Sequence, residues 1–553
     1  MVLLELMSNL REELKKSVEA CQNFCSVRFE ITDINLEFPE LKIHGEISTN
    51  VALVFSKKFA LSPIKLANLI LKNFDRPKYI KTVKCELPGF INFFLDQSFF
   101  NRVLLEVDET LEEYKRKNKQ NKKIIVEFVS ANPTGPMHIG NARLGALGDS
   151  LSEMLKFAGF DVFREFYVND AGYQIKKFAE SLAARYLQIF DPLFKFPDNG
   201  YQGSDIQELA NEFAKINGNN YLGCDQKILQ KVILDYALPK NISNMKLNLM
   251  RYKIKYDNWF HESSLYNSGE IYSVLDRLQK GEATYVQDDA VWFRATEFGA
   301  PKDEVLVRSN GIPTYFAADI AYHVNKFLIR KFDICVNFLG ADHQGHVPRM
   351  KAAMKFFGID ESRIKFIIVQ LVRIVKDGKI VKMSKRLGQA ETLGDFIDQI
   401  SVDCARFIFN MQDANSAMDF DIENVIKNDS SNPSYYVKYA YVRIQSILNK
   451  FDEIPNKRFL KLELLDSEIE NKLIFELSKF SYIINEVVTL MDSTILARYA
   501  VNLASIFHKF YNAVKVKNES LKLSNARHFL CLQTSKIINI ILKILKIDIP
   551  RMM

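Results

Sequence analysis

The stretch Val126–Leu151, "VEFVSANPTGPMHIGNARLGALGDSL", decides the fold. It starts as an apolar strand and turns through small residues and prolines. A histidine, a glycine and an asparagine follow, and then a helix begins. The strand opens upstream in "KKIIVEFVS", whose consecutive β-branched and aromatic residues suit a strand buried on both faces. Leu144, Leu147, Leu151, Met154 and Leu155 then recur at helical spacing, with Gly159 just past the end. A second strand, "DVFREFYV", and a second helix, "YQIKKFAESLAARYL", repeat the order. Strand, helix, strand, helix is the rhythm of a doubly wound parallel sheet, so an α/β, Rossmann-like domain is expected here.

Outward from that stretch, 553 residues are too many for one core, and two to four domains are expected. Residues 1–108 mix helical patterns with short strands and read as a small α+β domain. The charged run "LEEYKRKNKQNKK" reads as a linker over 109–122. The parallel-sheet domain spans 123–420. An insertion at about 192–281 breaks its alternation before strands resume at "EVLVRS" and "FDICVNFLG" and end near "FIIVQLVRIV". From 421 to 553 nearly every segment has helical period, so an all-α domain closes the chain.

Hydrophobic residues make up 48% and charged residues 25%, an ordinary balance for a soluble globular protein. The first residues lack a signal peptide's order, and "IINIILKILKIDI" is broken by lysines before it could cross a bilayer. A cytoplasmic protein without membrane association is expected. The seven cysteines are scattered singly, which argues against both a disulfide framework and a structural zinc. Net charge is +7, and from Val501 onward nine lysines and arginines face only Glu519 and Asp548. A basic helical terminus suits a polyanion such as nucleic acid, and a solvated lysine-rich surface is the plainer alternative.

The opening stretch is a strand-to-helix junction at the carboxyl edge of a parallel sheet, where open α/β sheets bind nucleotides. A helix start offers free N–H groups and partial positive charge to phosphate. Gly140 leaves room for a flat base against the backbone, and His138 and Asn141 would donate to phosphate oxygens. Alone, this motif would read as a sharp turn with a capping asparagine. It has a companion in "IVKDGKIVKMSKRLG", where an Asp377-Gly378 hairpin turn precedes a basic loop. Met383 would anchor that loop while Lys382, Lys385 and Arg386 face a polyanion, clamping a triphosphate and stabilising departing pyrophosphate. In "GADHQGH", Asp342, His343 and His346 imitate a metal site but lack a clear third ligand and a partner motif, so no metal centre is expected. "YYVKYAYVR" interleaves Tyr435, Tyr436, Tyr439 and Tyr441 with Lys438 and Arg443, the mixture that stacks on unpaired bases. Tyr435 and Tyr439 suit the helix core, which leaves Tyr436, Tyr441 and Arg443 for RNA.

The two loops together resemble the HIGH and KMSKS motifs of class I aminoacyl-tRNA synthetases, with Asn141 at the fourth position in place of the usual histidine. Asparagine keeps a donor there but cannot carry a charge. Further blocks resemble the arginyl-tRNA synthetase family in order and over nearly the whole chain: "GEISTNVALVFSKKFALSP", "LPGFINFFL", "YVNDAGYQI", "GIPTYFAADIAYH", "FLGADHQGHVPRM", "NPSYYVKYAYVRI" and the closing "IPRMM".

The resemblance implies an arginine–tRNA ligase acting in protein synthesis. Its substrates would be L-arginine, ATP with Mg²⁺, and arginine tRNA, and a monomer is expected. It implies ATP contacts at Pro133, Gly135, His138, Gly140, Asn141, Met383, Ser384 and Lys385, with charge stabilisation by His138, Asn141, Lys382 and Lys385. It implies arginine contacts at Glu127, Asn132, Tyr315, Asp319 and Gln344, with His343 an equal candidate to Gln344. The chemistry agrees, since carboxylates accepting paired N–H bonds select a planar, permanently charged guanidinium. Asn132 could instead hold the substrate's α-amino group or carboxylate, and on residues alone Asp319 reads as a helix-face partner of Lys326. The terminal domains would contact tRNA, the C-terminal one at the anticodon. A catalytically silent RNA-binding protein would not need both loops. A nucleotidyltransferase outside translation would not need the aromatic, basic helical end.

Overall fold

The computed structural model describes residues 2–22, 34–117, 120–376, 378–381, 392–451 and 455–549. The first helix, Val2–Cys21, buries Leu3, Leu6, Leu10, Leu14 and Val18 as one stripe. It packs near an antiparallel sheet of β1 (Ile47–Thr49), β2 (Ile80–Glu86) and β3 (Phe90–Leu95), in the order β1-β3-β2. A helix then runs Gln97–Lys117, so the first half of the supposed linker is helical. Its glutamates, lysines and arginine are good helix formers, and charge alone was a poor sign of an irregular segment.

The central domain begins with β4 (Lys123–Glu127), then β5 (Asp161–Val168) and β6 (Asn258–His261). A separate antiparallel sheet follows, formed by β7 (Thr284–Gln287), β8 (Ala290–Phe293) and β9 (Glu304–Val307). The chain then supplies β10 (Ile334–Gly340) and β11 (Ile364–Val369). The main sheet has the order β11-β10-β4-β5-β6, and every neighbouring pair is parallel. As expected, β4 is buried on both faces: Ile124 and Val126 enter one apolar core and Ile125 the other.

Two expectations change. The supposed insertion at 192–281 contains β6, which returns to the main sheet as its edge. Helices Ser204–Asn217 and Gln226–Arg251 do form an outlying unit on helix Gly172–Phe190, with its own core around Phe178, Leu182, Phe213 and Ile233. The strand "EVLVRS" is β9 and belongs to the antiparallel sheet. A four-residue edge strand, half-buried throughout, is too short to show a period.

Beyond β11, β12 (Val372–Lys376) and β13 (Lys379–Val381) make the foreseen hairpin, with Gly378 at φ +70°. β12 also pairs in parallel with β14 (Met418–Asp421). Helices Pro433–Leu448, Glu468–Ser478, Phe480–Leu490, Thr494–Ala513 and Leu521–Ile544 complete the chain. Their core is continuous with that under helix Ile139–Phe157. Fully buried Arg406 locks the junction, reaching Asp149 Oδ2 at 2.7 Å, the Leu545 carbonyl at 3.0 Å and the Tyr252 carbonyl at 3.2 Å. The helix that opens with the His-Ile-Gly-Asn turn is thereby clamped by the end of the chain's last helix. Among the described residues, no helix is long and apolar enough to cross a membrane.

Candidate active site

After β4 the chain builds β5 and β6 to one side, then crosses back to place β10 and β11 on the other. The strand order therefore reverses between β4 and β10, and the crevice beyond their carboxyl ends is where such a sheet binds ligands. The backbone leaving β4 is strained, with Val129 at φ +70° and Ser130 at φ +39°. A β-branched residue in that region costs about 1–3 kcal/mol. Surrounding bonds hold it there. The Ser130 hydroxyl donates to Glu127 Oε1 at 3.0 Å and accepts from the Tyr167 N–H at 3.1 Å. The Tyr256 hydroxyl donates to the Phe128 carbonyl at 2.9 Å.

His138 is the N-cap of helix Ile139–Phe157, and its Nδ1 accepts from the Gly140 N–H at 3.1 Å. Asn141 Oδ1 accepts in return from the His138 N–H at 2.9 Å, closing a capping box. With its Nδ1 lone pair engaged, His138 carries its proton on Nε2, as a donor. Burial lowers its pKa from the ordinary value, so the ring is neutral at pH 7. Asn141 commits its side-chain oxygen to the cap and so positions His138, while its Nδ2 remains a donor on the cavity wall. The space left by Gly140 is taken by the imidazole, since a Cβ there would stand 2.9 Å from His138 Cε1. Pro133 is buried away from the crevice, and its carbonyl accepts from Asn241 Nδ2 at 2.9 Å.

The crevice is a cavity of about 1000 Å³ whose walls include Glu127, Asn132, Gly135, His138, Asn141, Tyr167, Glu262, Tyr315, Asp319, His323, His343 and His346. Six carboxylates line it, and three that lie close enough to act on one another, Glu127, Glu262 and Asp319, differ in their partners. Glu127 Oε2 lies 2.5 Å from the ammonium of Lys326, whose side chain is 0% exposed. Burial works against that ammonium, but neighbours including Glu127 outweigh it and keep its pKa above the ordinary value. Lys326 thus partners Glu127, where the sequence had suggested Asp319. Asp319 keeps 34% of its side chain open to the cavity, and its nearest partner is His346 Nε2 at 3.3 Å. Burial, then Glu262 and Glu127, push Asp319 up to about 8. Glu262, only 1% exposed, is pushed up to about 7 by burial, against the Tyr167 hydroxyl and with Asp170 adding to the rise. His346 is pushed down to about 4 by burial and by His343. The Asp319–His346 contact in the empty site therefore joins a mostly protonated carboxyl to a neutral ring.

Among the described residues, three buried polar atoms on these walls make no well-formed hydrogen bond: the Tyr167 hydroxyl and Glu262 Oε1, which face each other, and His323 Nε2. His323 Nδ1 donates to the Asp319 carbonyl at 2.9 Å, which leaves Nε2 as an acceptor. Each unmet group costs about 1–3 kcal/mol, which a ligand rich in N–H donors would offset at the two acceptors. Tyr315 stands in the wall with its hydroxyl accepting from the Gln174 N–H at 3.2 Å, against Gly172 at φ +79°. Gln344 lies exposed in the turn Ala341–His346 and does not line the cavity, whereas His343 does. Lys382, Met383, Ser384 and Lys385 fall outside the described residues. Glu262, Tyr167 and His323 escaped the sequence reading. An acid just beyond a strand, in "WFHES", would have signalled Glu262 had β6 been recognised.

On helix Pro433–Leu448, Tyr436 and Tyr441 pack against the apolar core. Tyr435 and Tyr439 stack with centroids 6.0 Å apart. The Arg443 guanidinium lies 4.4 Å from the Tyr439 ring centre and 4.5 Å from that of Tyr511. All four tyrosines are half-buried, and Lys438 is bound to Asp403 Oδ2 at 2.6 Å.

A parallel sheet with a ligand crevice at its switch point, and a helix there opening on His-Ile-Gly-Asn, define a class I aminoacyl-tRNA synthetase. The description "tRNA synthetases class I (R), catalytic domain" matches residues 104–442. "Arginyl tRNA synthetase N terminal domain" matches 6–95 and "DALR anticodon binding domain" matches 437–553. The arginine–tRNA ligase of Acetivibrio thermocellus is 43% identical, over 99% of this chain and 100% of that one. The ligase of Caldanaerobacter subterraneus subsp. tengcongensis is also 43% identical, with the same shares. In fold, the Thermus thermophilus arginyl-tRNA synthetase superposes with a TM-score of 0.78 at 18% identity, covering 98% of this chain and 100% of its own. The Plasmodium falciparum enzyme gives 0.77 at 20% identity, covering 99% of each chain. The chain belongs to the arginyl-tRNA synthetase family, and is an ATP-dependent aminoacyl-tRNA ligase.

Proposed function

We infer that the crevice between β4 and β10 activates arginine with ATP and transfers it to the 3′ end of arginine tRNA. The observation that carries the reading is the wall holding Asp319 and Glu262, two carboxyls with no lysine or arginine partner among the described residues. A guanidinium would meet both with paired N–H bonds, whereas an ammonium cannot fill both, which separates arginine from lysine. Tyr315 flanks that position, and Asn132 at the mouth is placed for the substrate's α-amino group or carboxylate. The arginine carboxylate attacks the α-phosphorus and pyrophosphate leaves. The terminal ribose hydroxyl of tRNA then takes the arginyl group. No protein nucleophile is required, and the protein contributes position and charge stabilisation.

His138 Nε2–H and the adjoining helix N-terminus would meet the developing phosphate charge, with Gly135 beside them and Asn141 holding the ring. Lys382 and Lys385, with Met383 and Ser384, would close on the triphosphate from the far loop. Mg²⁺ would arrive with the nucleotide: among the described residues no cluster of His, Cys, Asp and Glu could hold a metal ion. Residues 1–108 and 421–553 would contact tRNA on either side of the catalytic domain 123–420, with Tyr435, Tyr439 and Arg443 stacking on unpaired bases. A cytoplasmic monomer fits this work.

The test is arginine-dependent ATP–pyrophosphate exchange, with and without arginine tRNA, using lysine and glutamate as controls. Exchange with arginine alone supports the reading, and its dependence on tRNA reports whether activation needs the bound partner. Exchange with another amino acid sinks the pocket assignment, and no exchange in either condition sinks the activity.

A further inference from the structure

Three buried ion pairs in the catalytic domain look alike, but only one faces the ligand cavity. Asp149–Arg406 and Glu165–Arg330 lie outside the cavity walls. Glu127–Lys326 differs, because its acid lines the cavity and its lysine sits behind it. The helix Tyr315–Val324 continues into a π-helical turn, Asn325–Ile329, which carries Lys326. Such turns re-aim side chains at functional sites. Lys326 Nζ reaches Glu127 Oε2 at 2.5 Å and Asn337 Oδ1 at 3.0 Å, and lies 3.8 Å from the ring centre of Tyr322. With Ser130 on Glu127 Oε1, both carboxylate oxygens are engaged by the protein. On the same walls Glu304 is held by Arg349, and of the interacting acids Glu127, Glu262 and Asp319 only Glu127 has a lysine or arginine partner among the described residues.

We propose that Lys326 is a positioning residue for amino-acid recognition: by neutralising and fixing Glu127, it leaves Asp319 and Glu262 as the two acids of this trio that a cationic ligand can meet. A guanidinium then finds one place of strong attraction, and a competing pose against Glu127 is removed. The inference rests on the reading of this cavity as the arginine site.

Charge bookkeeping supplies the test. Glu127→Gln leaves the Lys326 ammonium unmatched behind the wall, where it repels a cationic ligand. Removing that ammonium as well, in Glu127→Gln/Lys326→Met, lifts the repulsion. Arginine KM and kcat in ATP–pyrophosphate exchange, with tRNA and saturating ATP, are compared with thermal melting. Glu127→Gln should raise KM at least tenfold, and the double variant should recover at least fivefold of it with kcat alike in the two. Lys326→Arg should stay within twofold of wild type. A double variant no better than Glu127→Gln overturns the proposal, as does a fall in melting temperature with KM unmoved, which marks a purely structural pair. If Glu127→Gln alone does not fold, the double variant is set against wild type, and a KM more than tenfold higher overturns the proposal. Asp319→Asn separates the two readings. If it leaves arginine KM unchanged, the pocket assignment fails and takes this proposal with it. If it raises KM while the double variant shows no relief, only the role of Lys326 fails.

Discussion

Arginine binding should release protons, and the amount follows from Asp319 and Glu262. Burial first, then neighbouring carboxylates, push Asp319 up to about 8 and Glu262 up to about 7. A guanidinium rewards the ionised forms, so each carboxyl must lose its proton before or as arginine binds. Above pH 8 both are ionised and affinity is flat. Between pH 8 and 7 only Asp319 is protonated, and affinity falls about tenfold per unit. Below 7 Glu262 joins it and the slope steepens. At pH 6 the combined loss reaches about a thousandfold relative to pH 9, two units from Asp319 and one from Glu262. That is an upper bound, because about a third of Asp319 is open to solvent, which screens the burial and the neighbouring charges. Titration calorimetry with arginine from pH 6 to 9, in buffers of differing ionisation heat, reads affinity and proton count together. At pH 7 about 1.4 protons should leave per arginine bound, about 0.9 from Asp319 and about 0.5 from Glu262, and Asp319→Asn should abolish most of that release. An affinity flat across this range, without proton release, would refute the argument.

The cap at His138 makes a separable prediction. Asn141→Ala removes the acceptor for the His138 N–H and should cost about 1 kcal/mol in chemical denaturation together with a lower exchange rate. Asn141→Asp keeps an acceptor but adds negative charge near the phosphates, so stability should hold while ATP KM rises. Arg406→Met leaves Asp149 without the guanidinium that binds it at 2.7 Å, and should lower unfolding free energy by about 3–5 kcal/mol; a loss under 1 kcal/mol in urea titration would contradict the clamp. Tyr439→Ala should raise KM for tRNA by an amount equivalent to about 1–3 kcal/mol, with arginine KM unmoved. Tyr441→Ala should instead lower thermal stability, because that ring packs against the core.

Local pattern was enough for several parts of the molecule. The β4–turn–helix junction, the strand and helix after it, the Asp377-Gly378 hairpin and the helical C-terminal third were all legible in the chain. Each rests on near neighbours: a run of β-branched residues buried on both faces, apolar positions at helical spacing, a residue suited to positive φ. The basic loop at 382–386 lies outside the described residues. What escaped was decided by segments far apart in sequence. The strand β6 is four residues long and takes its identity only from pairing with β5, so Glu262 just beyond it could not be recognised. Lys326 lies 199 positions from Glu127 and meets it because a π turn and a parallel sheet bring them together. Whether a helical tyrosine faces core or solvent is set by which helices pack on it, and Tyr435, Tyr436, Tyr439 and Tyr441 are all half-buried, so helical spacing did not separate them. Periodicity is a property of the chain, so sequence alone determined the long, strongly patterned strands and helices. The partner of a buried charge is chosen by packing, and only the tertiary structure could decide which carboxylates were left free for the substrate.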